Sequence, residues 1–192
     1  MKCVCRECGA TTEIESFPRI DAQANPELKE RLRSGDLFLW SCPGCGTRNV
    51  ESYSLVYTDS AEGVLVCLSP TYLTAEEDVP GFRIARQVES AGALIEKIAI
   101  FDAGLDDIAV EICKLVTQRE MGKEVNLRFL RQDGPDGSLV MAYPENGEMQ
   151  MLEIGLNVYQ DCLAILSRNP GISASVKGLA RIDASWVARF FR

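Results

Sequence analysis

Apolar and polar positions change period several times along the chain, and each change marks an element. TTEIESFPRI alternates and is rich in threonine and isoleucine, which predicts a strand from Thr11 to Phe17 ending at Pro18. NPELKERLRSG opens with Asn25 as N-cap and Pro26 at the first helical position, and it closes on Gly35. Leu28 and Leu32 share one face of that short helix, while Lys29, Arg31 and Arg33 point elsewhere into water. Residues 37–41 (LFLWS) and the run Asn49 to Asp59 read as strands on either side of a turn. The apolar run 62–70 (EGVLVCLSP) completes a hairpin through a turn near Ser60 to Gly63.

The texture then changes. TYLTAEEDVPG is polar, acidic and broken by Pro80 and Gly81, the best linker candidate in the chain. Beyond it Leu94, Ile95, Ile98 and Phe101 form a helical face capped by Ser90. A second helix is expected from Asp106 or Asp107 to Arg119, with its acids at the dipole-favoured start and Ile108, Ile112, Cys113 and Val116 buried. VNLRFLRQ, SLVMAY and MQMLEIG predict three strands of an antiparallel meander turned by DGPDG and ENGE. Two helices follow, one from Asn157 to Arg168 with Cys162 inward, and a final one capped by Asp183 that carries Trp186, Val187 and Phe190. The expected fold class is α+β: an N-terminal β module with an inserted helix (1–79), zinc-ribbon-like because its two turns carry Cys5-x-x-Cys8 and Cys42-x-x-Cys45, a central helical pair as connector (80–120), and a C-terminal antiparallel meander with two helices (121–192).

Composition narrows the chemistry. The 192 residues are 46% apolar and 25% charged, as in an ordinary globular protein. No N-terminal targeting pattern and no membrane-spanning apolar run is expected, so a cytoplasmic location is anticipated. There is no histidine, which removes Ser-His-Asp and Cys-His nucleophiles and Cys2His2 fingers. Residues 1–50 carry seven basic and seven acidic side chains, residues 51–120 five and thirteen, and residues 121–192 eight and eight. A net charge of −8 with no basic excess in any part makes nucleic acid an unexpected partner and a basic protein a more natural one.

Eight cysteines in a chain expected in a reducing compartment read as metal ligands and buried small hydrophobes rather than as disulfides. Cys5 and Cys8 form one C-x-x-C and Cys42 and Cys45 another, with 33 residues between, and a glycine follows each pair. Two-residue spacing lets both sulfurs approach one ion, the glycine permits the tight turn, and four thiolates suit tetrahedral zinc; iron is the lesser candidate. Four protein ligands close the coordination sphere, which disfavours a hydrolytic metal. A structural zinc site contributes about 10–16 kcal/mol in peptide hosts, against a net stability of about 5–15 kcal/mol for a whole domain. Cys67, Cys113 and Cys162 are expected to be buried. Cys3 is either an inward apolar residue, an alternative ligand to Cys5, or a spare thiol able to displace a ligand on oxidation.

C-x-x-C-G, IDAQANPELKERLRSGDLF, SCPGCG and the following LVYTD resemble the CpXC family of bacterial and archaeal proteins, over about residues 1–70 and, through IEKIAIFDAGLDDIAVEICK, to about residue 120. The resemblance implies that Cys5, Cys8, Cys42 and Cys45 are the metal-site cysteines, and it implies no reaction. Several functions follow as expectations: a non-enzymatic zinc protein that binds a protein partner, a thiol redox sensor using Cys3, and a nucleic-acid ribbon using Lys29, Arg31, Arg33 and Trp40. An enzyme built on Asp106 and Asp107 is a weaker idea, because adjacent helical residues point roughly 100° apart. The partner and the oligomeric state are not legible.

Overall fold

The computed structural model describes residues 1–71, 73, 79–134 and 137–191. Most of the acidic linker and the Pro135–Asp136 centre of the DGPDG turn therefore lie outside the described residues. Among the described residues the chain divides into two compact units, the first up to Ile95 and the second from Glu96 onward. The architecture is α+β, with several small sheets and, among the described residues, six α-helices.

The first unit opens with two very short ladders. Strand β1 (Lys2–Val4) pairs antiparallel with β2 (Thr11–Glu13); β4 (Leu39–Ser41) pairs antiparallel with β5 (Arg48–Val50). Between them lie β3 (Arg19–Asp21), α1 (Pro26–Arg33) and a 3-10 turn at Asp36–Phe38. Asn25 is the N-cap of α1 and Pro26 its first residue, and Leu28 and Leu32 are buried. Lys29 does not simply point into water. It reaches Asp59 at 3.4 Å, and Asp59 also accepts from the Gln23 amide. Burial alone would raise the Asp59 pKa, but the Glu62 N–H, Gln23 and Lys29 outweigh it and hold the carboxyl below its ordinary value.

Strands β6 (Leu55–Asp59) and β7 (Val64–Leu68) form the expected hairpin at the centre of a four-stranded sheet ordered β3-β6-β7-β8. Two of its pairings are parallel, β3 with β6 and β7 with β8 (Ile84–Val88). No strand is expected from sequence over 84–88, and the reason is visible in its burial. Ala85, Arg86, Gln87 and Val88 are all buried, so the segment has no alternation to read. Gln87, 1% exposed, holds the chain that leaves β7, donating to the Thr71 carbonyl and accepting from the Leu73 N–H. The strand expected over Thr11–Phe17 is cut to three residues by the length of its partner.

Helix α2 (Ala91–Asp102) starts on a Ser90 cap, whose hydroxyl accepts from the Ala93 N–H, and it runs across the division between the units. In the second unit α3 (Asp107–Met121) is capped by Asp106, which accepts from the N–H groups of Ile108 and Ala109. The meander follows as expected: β9 (Arg128–Gln132), β10 (Leu139–Glu145) and β11 (Glu148–Ile154), in the order β11-β10-β9. Helices α4 (Leu156–Arg168), α5 (Pro170–Ala174) and α6 (Ala184–Ala188) complete it, with Asp183 capping α6. Ile108, Ile112 and Cys113 of α3, Phe129 of β9, Leu139 and Met141 of β10, Cys162 and Leu166 of α4 and Val187 of α6 belong to one apolar core.

Beside that core lies a group of buried charges. Lys97 sits 2.9 Å from Asp107 and 3.6 Å from Glu111; Lys114 sits 2.9 Å from Glu111 and also pairs with Glu96. Glu96 in turn accepts from the Phe129 N–H at 2.7 Å, tying the start of β9 to α2. Desolvation alone would lower the Lys114 pKa, but Glu111 and Glu96 reverse it and hold the ammonium above its ordinary value. Removing one member of such a group strands a charge in low dielectric, at about 3–5 kcal/mol. Lys97→Met is therefore expected to lower the unfolding free energy in urea by about 3–5 kcal/mol; a loss below about 1 kcal/mol, the scale of an exposed pair, would show that these charges are solvated in the folded protein.

Candidate metal centre

The two C-x-x-C-G segments fold as copies of one knuckle. In the first, the Cys5 N–H donates to the Ala10 carbonyl at 2.9 Å and the Gly9 N–H to the Cys5 carbonyl at 3.0 Å; in the second, the Cys42 N–H donates to Thr47 at 2.9 Å and the Gly46 N–H to Cys42 at 2.8 Å. Gly9 and Gly46 take the same left-handed conformation, φ +72° and +74°. A side chain would strain that backbone, which is why glycine closes each knuckle. The short ladders β1–β2 and β4–β5 hold the knuckles at their open ends.

These turns bring Cys5, Cys8, Cys42 and Cys45 together. Their four sulfurs lie within 4.8 Å of one another, with Cys5 3.7 Å from Cys45 and Cys8 3.6 Å from Cys42. Sulfurs on a tetrahedron around an ion with metal–sulfur bonds near 2.3 Å stand about 3.8 Å apart, so the two cross-knuckle contacts already have the right span. Cys5 and Cys42 are buried, Cys8 and Cys45 exposed. Gly44, between the second pair, donates its N–H to Cys42 Sγ at 3.3 Å. Asn49 of β5 donates to Cys5 Sγ at 3.6 Å and to the Thr47 carbonyl at 2.9 Å, and its side-chain oxygen accepts from the Arg6 N–H, so one buried amide braces both knuckles.

The same donors sort the four thiols. The Cys8 backbone N–H is the main influence that lowers the Cys5 pKa, to about 6, with Glu7 N–H and Asn49 adding to it. Thr47, through its hydroxyl and its N–H, lowers Cys45. At Cys8 the Ala10 N–H pulls down, but the neighbouring sulfurs of Cys45, Cys42 and Cys5 outweigh it and push the thiol up to about 12. Crowded sulfurs resist losing all their protons unless a cation takes the protons' place. A donor set of four thiols in a chain without histidine fits a soft or borderline divalent ion, which when bound would supply a fixed cross-link and no open coordination position.

A family model for CpXC protein matches residues 3–114. The chain belongs to the CpXC family. Comparison with curated proteins and with solved structures returns no match. The CpXC match takes in both knuckles and extends to Lys114, so Glu96, Lys97, Asp107, Glu111 and Lys114 all lie within it.

Cys3, on β1, stands apart from the four. It is 3% exposed, and burial, with Glu51 nearby, raises its pKa. It packs with Cys5, Cys42 and Trp40 in a small cluster flanked by Ala10 and Ile14. Cys67, Cys113 and Cys162 are buried as well. Sequence reasoning missed Asn49, whose bracing role carries no local signature, and offered Trp40 to a nucleic acid, whereas its indole N–H is buried without a hydrogen-bond partner beside the cysteines. Substituting any one of Cys5, Cys8, Cys42 or Cys45 by serine is expected to reduce bound metal from a single ion per chain toward none by elemental analysis, whereas Cys3→Ser leaves it at a single ion. Loss of metal in Cys3→Ser with the other four intact would place Cys3 among the ligands.

Proposed function

We propose that this CpXC chain is a structural-zinc protein, with Cys5, Cys8, Cys42 and Cys45 as ligands of a zinc-ribbon-like module, and that it works as a protein-interaction or scaffold module in the cytoplasm. The observation that carries the reading is the convergence of four thiol sulfurs from two matched knuckles. Four protein ligands leave no place for an activated water, so the ion's role is to hold shape. All eight cysteines are free thiols, in keeping with a reducing compartment, and no helix of the described residues is long and apolar enough to cross a membrane.

The other readings draw less support. A redox sensor that uses Cys3 draws support only from its packing beside Cys5 and Cys42, and burial raises its pKa. A nucleic-acid ribbon needs free cations and a stacking ring, yet Lys29 pairs with Asp59, Arg31 lies over the Phe17 ring, Arg33 pairs with Glu30, and Trp40 is buried. Asp106 is consumed as a helix cap and Asp107 by Lys97.

Glu62, Glu89, Asp102 and Glu120 are exposed in the acidic middle of the chain, and they favour a basic partner through rate and specificity. Zinc-loaded protein used as bait is expected to retain such a partner at low ionic strength and release it as salt rises; capture indifferent to salt would contradict the electrostatic part. Chelation is expected to alter the near-UV signal and fluorescence of Trp40 and to lower the melting temperature. Metal-free protein with both unchanged would show that the ion is not structural.

A further inference from the structure

Helices α3 and α4 each place one cysteine in the core of the second unit. Cys113 Sγ and Cys162 Sγ lie 3.2 Å apart, closer than the nearest cross-knuckle sulfurs of the metal centre at 3.6 and 3.7 Å. Cys113 is fully buried and Cys162 is 2% exposed. They belong to an apolar cluster that includes Ile112, Tyr159 and Leu166. Among the described residues no third metal-ligating group joins them, so two sulfurs in apolar surroundings do not make a metal site. What two facing thiols can do is exchange two hydrogens for a bond.

We propose that Cys113 and Cys162 are a redox-active dithiol that a small peroxide oxidises to an intramolecular disulfide while the zinc-type centre stays intact. Cys113 S–H donates to Cys162 Sγ, and that hydrogen bond lowers the Cys162 pKa while the Cys113 thiol is raised. Cys162, on the helix whose outer side faces solvent, is assigned as the attacking sulfur. Its thiolate takes one oxygen of hydrogen peroxide as the O–O bond breaks, leaving a sulfenic acid and releasing water once the departing hydroxide is protonated. Cys113 sulfur then attacks the Cys162 sulfur and the sulfenic oxygen leaves as a second water. Two thiols and one peroxide become one disulfide and two waters, with two electrons passing from sulfur to oxygen.

Access is short. Gln160, Asp161 and Leu163 on the outer side of α4 are exposed, so only the thickness of one helix separates the pair from solvent, a distance that local opening of α4 covers. The bond would join residues 49 positions apart and enclose the whole meander. Closing a loop of that length restricts the unfolded chain and stabilises the unit.

The test uses full-length, zinc-loaded protein, with hydrogen peroxide as probe. Expected results are the loss of two hydrogens by mass, a cross-linked peptide pair containing Cys113 and Cys162, retention of zinc, and a melting temperature raised by about 10 °C that dithiothreitol reverses. Cys162→Ala, checked for zinc content and circular dichroism, is expected to bind zinc as before and to show neither cross-link nor thermal shift. Three results would overturn the proposal: both thiols still free when the metal-centre cysteines have oxidised, a sulfinic acid at Cys162 in place of the bond, or a cross-link that appears only after unfolding and refolding in oxidised glutathione. None of these depends on whether the metal centre binds a protein partner.

Discussion

Two ladders of three residues each cannot hold a fold in water, since isolated two-stranded hairpins are marginal even when longer. The start of this chain consists of two such ladders, and the apolar cluster between them is Cys3, Cys5, Trp40 and Cys42 with Ala10 and Ile14 at its edge. Half of that cluster is sulfur. Its cohesion therefore rests on what the four converging thiols do together. As thiols they are small, weakly hydrogen-bonded groups; a cation bound by all four would cross-link residues 5 and 45 and make up for a core too small to form by burial. The amides around Cys5 and the second knuckle are already aimed at sulfur, so the protein part of the site is organised for the ionised state.

The knuckles were legible because everything that defines them is local: spacing, closing glycine, and flanking strands. So were α3 and α6, whose side-chain caps Asp106 and Asp183 fall where short polar residues precede apolar periods, and α1, which Asn25 precedes without a side-chain capping bond. The meander announced itself through ENGE, and Asn146 and Gly147 take the positive φ that such a turn needs. Strand β8 was illegible because its side chains are buried on both faces and its partner, β7, is reached by a parallel crossover rather than a hairpin. The proximity of Cys113 and Cys162 was equally hidden. Each looks like a core residue of its own helix, and only the packing of α3 against α4 shows that the two meet.

Charge gave the most misleading signal. Counting side chains finds an acidic surplus confined to residues 51–120 and invites the picture of an acidic surface, yet Asp59, Asp107 and Glu111 are buried and Glu96 is partly so. Each is matched to a lysine whose sequence position looks solvated: Lys29 on the polar side of α1, Lys97 within α2, and Lys114 at the middle of α3. Part of the acid count is thus internal and paired, so fewer carboxylates reach the surface than the composition implies.

An interior ion group rarely adds net stability over an apolar one of the same volume, because desolvation cancels most of the attraction. Its consequence here is geometric. Apolar contacts between α2 and α3 would tolerate a shift of one helix along the other, whereas Lys97 can satisfy Asp107 and Glu111, one turn apart, in a single register. Glu96 extends the constraint, since it meets Lys114 on α3 and the Phe129 N–H of β9 at once. The same five side chains that make the middle of the chain look like a solvated acidic segment are those that fix how its helices meet the sheet.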